Sequence, residues 1–335
     1  MGSPETVKET KKLNMVQAIN LALMQEMMKD DSVIVLGQDV GVDGGVFRVT
    51  DGLHEKFGEE RVIDTPLAEA GIVGTALGMA LAGLKPVAEI QFDGFSYLTL
   101  THLESQMARY RTRTMGQRAC PMVVRFPYGG LVRAMEHHSE SREVAFAHIP
   151  GIKVVTPSTP RNARALMLAA IRDPDTVIFM EPKRLYRAFK EEVPLEEEFW
   201  EIGKAQVVQE GSDLTVISWG SMMPVVKEAV RVMQEKKKKS IELIDLLTIS
   251  PMDTATFIES VKKTGRCVIV QESMKSFGPA SEIIARINDK ALMSLQAPVK
   301  RLSNYDVTMP YFGREHFYIP GKERIEQAIE ETLNF

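Results

Sequence analysis

The chain is 335 residues long, with 45 acidic against 41 basic side chains, a net charge of −4 and a pI near 6.0. That length exceeds one ordinary domain of about 100–200 residues, and 44% hydrophobic with 26% charged residues excludes extensive disorder. A faintly acidic balance gives no general field for a polyanion, so nucleic acid is not an expected partner. Two cysteines, Cys120 and Cys267, each beside an apolar run, exclude a disulfide framework and suit a reducing compartment.

Residues 1–12 are polar and mixed in charge, without the apolar core or arginine-rich face of a leader, and read as a flexible tail of a cytoplasmic protein. Asn14 to Met28 carries apolar residues at helical spacing: Val16, Ile19, Leu23 and Met27. Val33 to Leu36 is a short interior strand stopped by Gly37. A polar, glycine-rich loop runs from Asp39 to Thr50, a short helix surrounds Leu53 to Phe57, and Arg61 to Asp64 is strand-like. Leu67 to Leu84 is the nearest approach to a membrane span. It is short for a hydrocarbon layer of roughly 30 Å, carries Glu69 and four glycines, and reads as a soluble helix opened by Pro66 and closed by Gly83. No membrane association is expected.

Pro86 to Phe92 is a strand, Ser96 to Thr112 one long helix, and Pro121 to Phe126 a buried strand. A strand at Ile152 to Thr156, a helix at Pro160 to Ile171 and a strand at Val177 to Glu181 follow. Such alternation predicts a mainly parallel sheet covered on both faces. Residues 190–204 are acidic and aperiodic, the best linker in the chain. Beyond them a second alternation has strands at 214–219, 241–247, 267–271 and, weakly, 299–302, with helices at 222–234, 253–263, 279–288 and 323–333. The expected fold is α/β, two open, mainly parallel-sheet domains at 13–189 and 205–335. The lysine run at 236–239 falls at a helix C-terminus, where it suits the dipole. Arg109, Arg111 and Arg113, at another helix end, are expected to meet carboxylates of a neighbouring subunit.

No GxGxxG follows a predicted strand, and GxxxxGK[ST], GxSxG, HExxH and CxxC are missing. Chemistry must rest on dispersed residues or a shared cofactor. Gly71, Gly74 and Gly78 strip one helix face of side chains at a cost of about 1 kcal/mol each, which makes sense if another backbone packs there, as in a homodimer. Glu69, in the first turn, is either a carboxylate favoured by the helix dipole or a partly buried acid meant for something other than water. His137 and His138, adjacent on an extended segment, point to opposite sides, so a metal pair is weak.

Three segments, DTPLAEAGIVGTALGMALAGLKPVAEIQF, HHSESREVAFAHIPGIKVVTPSTPRNARALMLAAIRD and EPKRLYR, resemble the beta subunit of the thiamine-diphosphate-dependent 2-oxo acid dehydrogenases. GSDLTVISWGSMMPVVKEA, IELIDLLTISPMD, KTGRCVIVQES and FYIPGKERI continue the likeness to the C-terminus. These are the decarboxylating components of the pyruvate and branched-chain complexes. The resemblance implies a transketolase-like pyrimidine-binding domain followed by a transketolase C-terminal-like domain. It assigns Glu69 to the glutamate that contacts N1′ of the aminopyrimidine, Phe95 to the aromatic that packs on that ring, Gln91 to a polar neighbour of the cofactor, and His138 to the active-site histidine. Asp173 matches a position near a structural monovalent cation, K+. Gly94 departs from the acidic residue that relatives often carry before this aromatic, with Asp93 preceding it.

The GDG motif that holds Mg2+ and the diphosphate is missing; VDGG at 42–45 and TDG at 50–52 come closest. The resemblance therefore implies that an alpha subunit supplies the diphosphate half, in an α2β2 assembly with a second copy of this chain, and that a lipoyl-bearing transacylase core accepts the acyl group. EIQFDGF and FMEPKRLYR favour a branched-chain substrate over pyruvate. The alternatives are a pyruvate-specific or acetoin-cleaving relative, a split transketolase-like enzyme, and a non-catalytic structural subunit.

Overall fold

A computed structural model describes residues 9–311 and 313–335. Its strands are β1 (Thr10–Leu13), β2 (Val33–Gly37), β3 (Val62–Asp64), β4 (Lys85–Glu89), β5 (Val123–Tyr128), β6 (Lys153–Val155), β7 (Val177–Pro182), β8 (Glu191–Pro194), β9 (Gln206–Gln209), β10 (Leu214–Ser218), β11 (Ile241–Asp245), β12 (Thr248–Ser250), β13 (Cys267–Met274) and β14 (Lys300–Asn304). A seven-stranded sheet has the order β12-β6-β7-β5-β4-β2-β3, parallel except at β12. A five-stranded sheet has the order β14-β13-β10-β11-β9, parallel except at β9. The interior strands VIVLG, VVRFPY and VIFMEP are buried along their whole length, as parallel strands covered on both faces must be.

Helices begin where the sequence supplies their caps. Asn14 and Gln17 form a reciprocal capping box, as do Thr159 and Asn162, and Pro160 takes the first helical position of Pro160–Arg172. The helices Met15–Lys29 and Pro160–Arg172 pack together over one face of the large sheet. The opposite face shares a single core with the second sheet, where Phe126 and Met180 belong to the same cluster as Ile217, Trp219, Ile244 and Ile269. Both cysteines are buried free thiols. No helix among the described residues is long and apolar enough to cross a membrane.

Several expectations need correction. Residues 10–12 of the expected tail are not loose: β1 pairs antiparallel with β8, which lies inside the expected linker, and Thr10 donates to Glu192 at 2.8 Å. The C-terminal half also lends β12 to the edge of the first sheet. The long helix at 96–112 is instead a 3-10 turn (Asp93–Thr99), a short α turn (Leu100–His102), a π turn (Leu103–Met107) and an α-helix (Ala108–Arg113). Hydroxyls of Thr99 and Ser105 bond back to the carbonyls of Ser96 and Thr101, which competes with a regular ladder. The glycine-studded helix starts at Glu69, leaving Pro66 and Leu67 outside it. Arg111 meets Asp175 at 2.8 Å, Arg113 bonds Gln106 at 2.9 Å and Arg109 lies 3.7 Å from Glu104, so these arginines find partners within the chain. Lys236 and Lys237 at the C-terminus of Met223–Lys237 pair with Glu326 and Glu330 of the last helix.

Candidate functional site

Glu89 at the carboxyl end of β4, Arg125 midway along β5 and Glu181 near the carboxyl end of β7 are buried charges in mainly apolar strands, and the parallel register brings them together. Arg125 of β5 reaches Glu181 of β7 with Nε at 2.5 Å and Nη2 at 2.8 Å, while its Nη1 bonds Glu89 of β4. Tyr186 donates to Glu181 at 2.6 Å. All four side chains are buried. Burial raises the Glu89 carboxyl above its ordinary range, against the pull of the Arg125 guanidinium. The sequence reading missed this group. Its signal was a buried charge, Glu89, Arg125 and Glu181, in each of three mainly apolar strands, which has to be paired.

Beyond Glu89 the chain leaves the sheet and builds an aromatic wall. Gln91 is committed to Asp39, its Nε2 donating at 3.0 Å. Phe92 and Phe95 sit 5.9 Å apart, edge to face, and the His138 ring packs on both, with centroids at 4.1 Å from Phe92 and 5.4 Å from Phe95. His138 belongs to a 3-10 turn, Glu136–His138, and not to an extended segment. Its neighbour His137 points away, half exposed and 3.3 Å from Glu136. Burial, Lys183 and His137 lower the His138 pKa, opposed by Glu136, which favours the neutral form of the imidazole. Its Nδ1 is buried with no hydrogen-bond partner among the described residues.

Gly94 now has a physical reason. A Cβ there would lie 2.0 Å from the carbonyl oxygen of His137, so only glycine lets the histidine turn close on the aromatic turn. Asp93 receives Arg142 N–H at 3.0 Å and Ser96 Oγ at 3.1 Å, and burial pushes its carboxyl up to about 7.

Glu69 stands in the first turn of Glu69–Leu81, a helix that packs on the Asp93–Thr99 turn. It is 8% exposed, yet it makes no hydrogen bond or ion pair with any described residue. Next to it Leu67 is 69% exposed, and farther along the helix Gly78 has no atom of the described residues within 4 Å of its missing side chain. Gly74 instead faces the His102 ring at 3.4 Å, so only part of the glycine face awaits contact from outside the chain.

Phe95 and His138 are thus brought together, with Glu69 on the adjoining helix and Gln91 directed to Asp39. Asp173 is not part of this group. It caps the helix Pro160–Arg172 ahead of β7, at the opposite end of the strand from Glu181, and its carboxylate is taken by Lys153 at 2.6 and 2.7 Å.

Comparison with known proteins agrees with this geometry. Residues 11–188 match the transketolase pyrimidine-binding domain and residues 203–325 the transketolase C-terminal domain. The pyruvate dehydrogenase E1 component subunit beta of Acholeplasma laidlawii is 53% identical over 319 residues, spanning 95% of this chain and 97% of that one. The subunit of the same name from Bacillus subtilis is 47% identical over 325 residues, spanning 96% and 99%. A split-gene transketolase, solved as an inactive beta4 tetramer, superposes with a TM-score of 0.76 at 19% identity over 97% of this chain and 99% of its own, a likeness of fold.

The two domains and the site at their strand ends place the chain in the transketolase-like family of thiamine-diphosphate proteins. Within it, the chain belongs to the beta subunits of the 2-oxo acid dehydrogenase decarboxylating components, enzymes that work with an alpha subunit. The expected leaning toward branched-chain substrates finds no support among these relatives, which are named for pyruvate.

Proposed function

We propose that this chain supplies the pyrimidine half of a thiamine diphosphate site in a pyruvate-decarboxylating enzyme, completed by an alpha-type subunit and delivering its acyl product to a lipoyl group. The observation that carries the reading is Glu69, a largely buried residue whose carboxylate makes no hydrogen bond or ion pair with any described residue, on a helix packed against an aromatic wall that ends in a histidine. A carboxylate that spends no hydrogen bond on its own described surroundings is free to accept one from a ring nitrogen and to share that proton. The cofactor fits this set: a carboxylate for the pyrimidine nitrogen, the Phe95 ring for its face, and room at an open rim.

Thiamine diphosphate, when bound, provides the electron sink that lets a 2-oxo acid lose CO2. Glu69 holds the proton at the pyrimidine nitrogen. Phe92 and Phe95 exclude water and fix ring planes. His138, its neutral form favoured, presents an imidazole that can give or take a proton at the substrate oxygen or the lipoyl sulfur. Mg2+ and the diphosphate fall to the alpha subunit, and the exposed Leu67 rim and the open face at Gly78 belong against other chains of an α2β2 assembly. The relatives' names favour pyruvate over branched-chain acids.

Co-expression with an alpha-type subunit and assay of dye reduction tests the reading. Pyruvate should be turned over in preference to 3-methyl-2-oxobutanoate. Preference for the branched acid would overturn the substrate, and micromolar binding of thiamine diphosphate by this chain alone would overturn the split site.

A further inference from the structure

Lys183 follows β7 directly, in the short turn Lys183–Leu185, and its side chain is buried at the seam between the two domains. Burial pushes its ammonium down to about 8, while Glu272, Asp93 and Glu315 oppose that shift. Its Nζ lies 5.3 Å from the centre of the Phe92 ring, the ring on which His138 packs. The one hydrogen bond it makes among the described residues goes to the backbone carbonyl of His138. A buried cation that spends its bond on a loop carbonyl, and not on a carboxylate, is holding the loop.

The surrounding ties point the same way. Gly129 N–H reaches the Glu140 carbonyl at 2.7 Å, and Arg142 N–H reaches Asp93 at 3.0 Å. Glu272, from β13 of the second sheet, accepts Gly130 N–H at 2.6 Å and the Ser221 hydroxyl. The segment 129–142 is therefore pinned from both domains, and Lys183 is the side chain that grips the histidine residue itself.

We propose that Lys183 is a positioning residue for His138: through the His138 carbonyl and the Phe92 face it fixes the histidine turn against the aromatic wall and ties that placement to the docking of the C-terminal domain. The functional weight of this rests on the reading of His138 given above. The Lys183 charge also opposes a second charge on the imidazole, beside His137 and Glu136 on the same turn. Removing it must move the His138 titration upward.

The test uses the full chain, with hydrogen exchange read by mass spectrometry and the six histidines titrated by NMR, His138→Ala assigning the resonance. Lys183→Met should speed exchange in 134–142 by about 10- to 100-fold, the loss of one hydrogen bond to a charged group. The helix Met15–Lys29 should be unchanged and the His138 titration should move up. Lys183→Arg should retain both protection and titration. Unchanged protection in Lys183→Met, or loosening spread evenly over β5 and β7, overturns the proposal. If Lys183→Met does not accumulate folded, Lys183→Gln keeps a donor without the charge. Protection kept with a raised His138 titration then supports the proposal, and an unmoved titration overturns it. Turnover of His138→Ala with the alpha subunit tests the role of the histidine separately: full activity there removes the functional consequence while leaving the exchange result to stand.

Discussion

Replacing Glu69 with glutamine separates the two roles that a first-turn carboxylate can have. Since Glu69 makes no hydrogen bond or ion pair among the described residues, the amide forfeits none within the chain. The lost interaction with the helix N-terminus is worth about 0.3–1 kcal/mol, and relief from burying a charge offsets part of it. The net change in stability should therefore stay within about 1 kcal/mol, and assembly with the alpha subunit should survive. Glutamine still reaches a ring nitrogen but cannot share a proton with it. If proton transfer through Glu69 is the function, turnover should fall by about 10²–10⁴-fold, or roughly 3–5 kcal/mol of barrier. The decisive assay is hydrogen–deuterium exchange at C2 of the cofactor bound to the assembled variant, alongside its melting curve. Exchange at the wild-type rate would refute the assignment and leave Glu69 a structural carboxylate. A drop in melting temperature matching the loss of activity would refute it equally.

Gly78→Leu should leave the isolated chain folded, since nothing lies near that position and leucine is the better helix former by about 1 kcal/mol, yet weaken assembly in light scattering; unaltered assembly would show that this face meets no other chain. Arg125→Met should destabilise the fold by about 3–5 kcal/mol, because two buried carboxylates lose their cation. Denaturant curves should show a larger loss at high pH than at low pH, because the raised Glu89 carboxyl takes up a proton as pH falls and relieves part of the unpaired charge. Asp245, bonded by Ser158 and pushed up to about 7 by burial, folds with its proton on. The unfolded chain ionises first as pH rises, so stability falls from about pH 4 up to about 7, and Asp245→Asn should flatten that part of the melting curve.

Much of the scaffold was legible because parallel strands buried on both faces must be short continuous apolar runs, and the helices between them carry caps at Asn14, Thr159 and Asp253. What escaped depends on partners remote in sequence. Nothing in TKKL announces pairing with EEVP about 180 residues away, and the β12 triplet is an edge strand only because β6 is there to receive it. The break after Asp93 comes from hydroxyl back-bonds that a hydrophobic period does not register. For the site, the pattern alone left Glu69 open between a dipole carboxylate and a partly buried acid, and Phe95 and His138 came from resemblance, since alone they read as core and surface residues. Lys183 and Gly94 carry no local signal. One is explained by a carbonyl 45 residues back in the chain, the other by a backbone atom 43 residues ahead.

Two buried glutamates on neighbouring elements show how a family site can be told from a structural one on physical grounds. Glu89 and Glu69 are both sheltered, and both would be costly as lone charges. Glu89 is answered inside the chain, by Arg125, which is itself held by Glu181 and Tyr186, so its burial is complete without any further molecule. Glu69 has no hydrogen-bond or ion-pair partner among the described residues, although its helix is well packed and its rim, at Leu67, is apolar and open. A chain that folds around an unanswered carboxylate has left part of its electrostatics to be completed by what binds there. That requirement, more than the motif that first drew attention to Glu69, makes the helix N-terminus the place where a nitrogen heterocycle and a second subunit should meet.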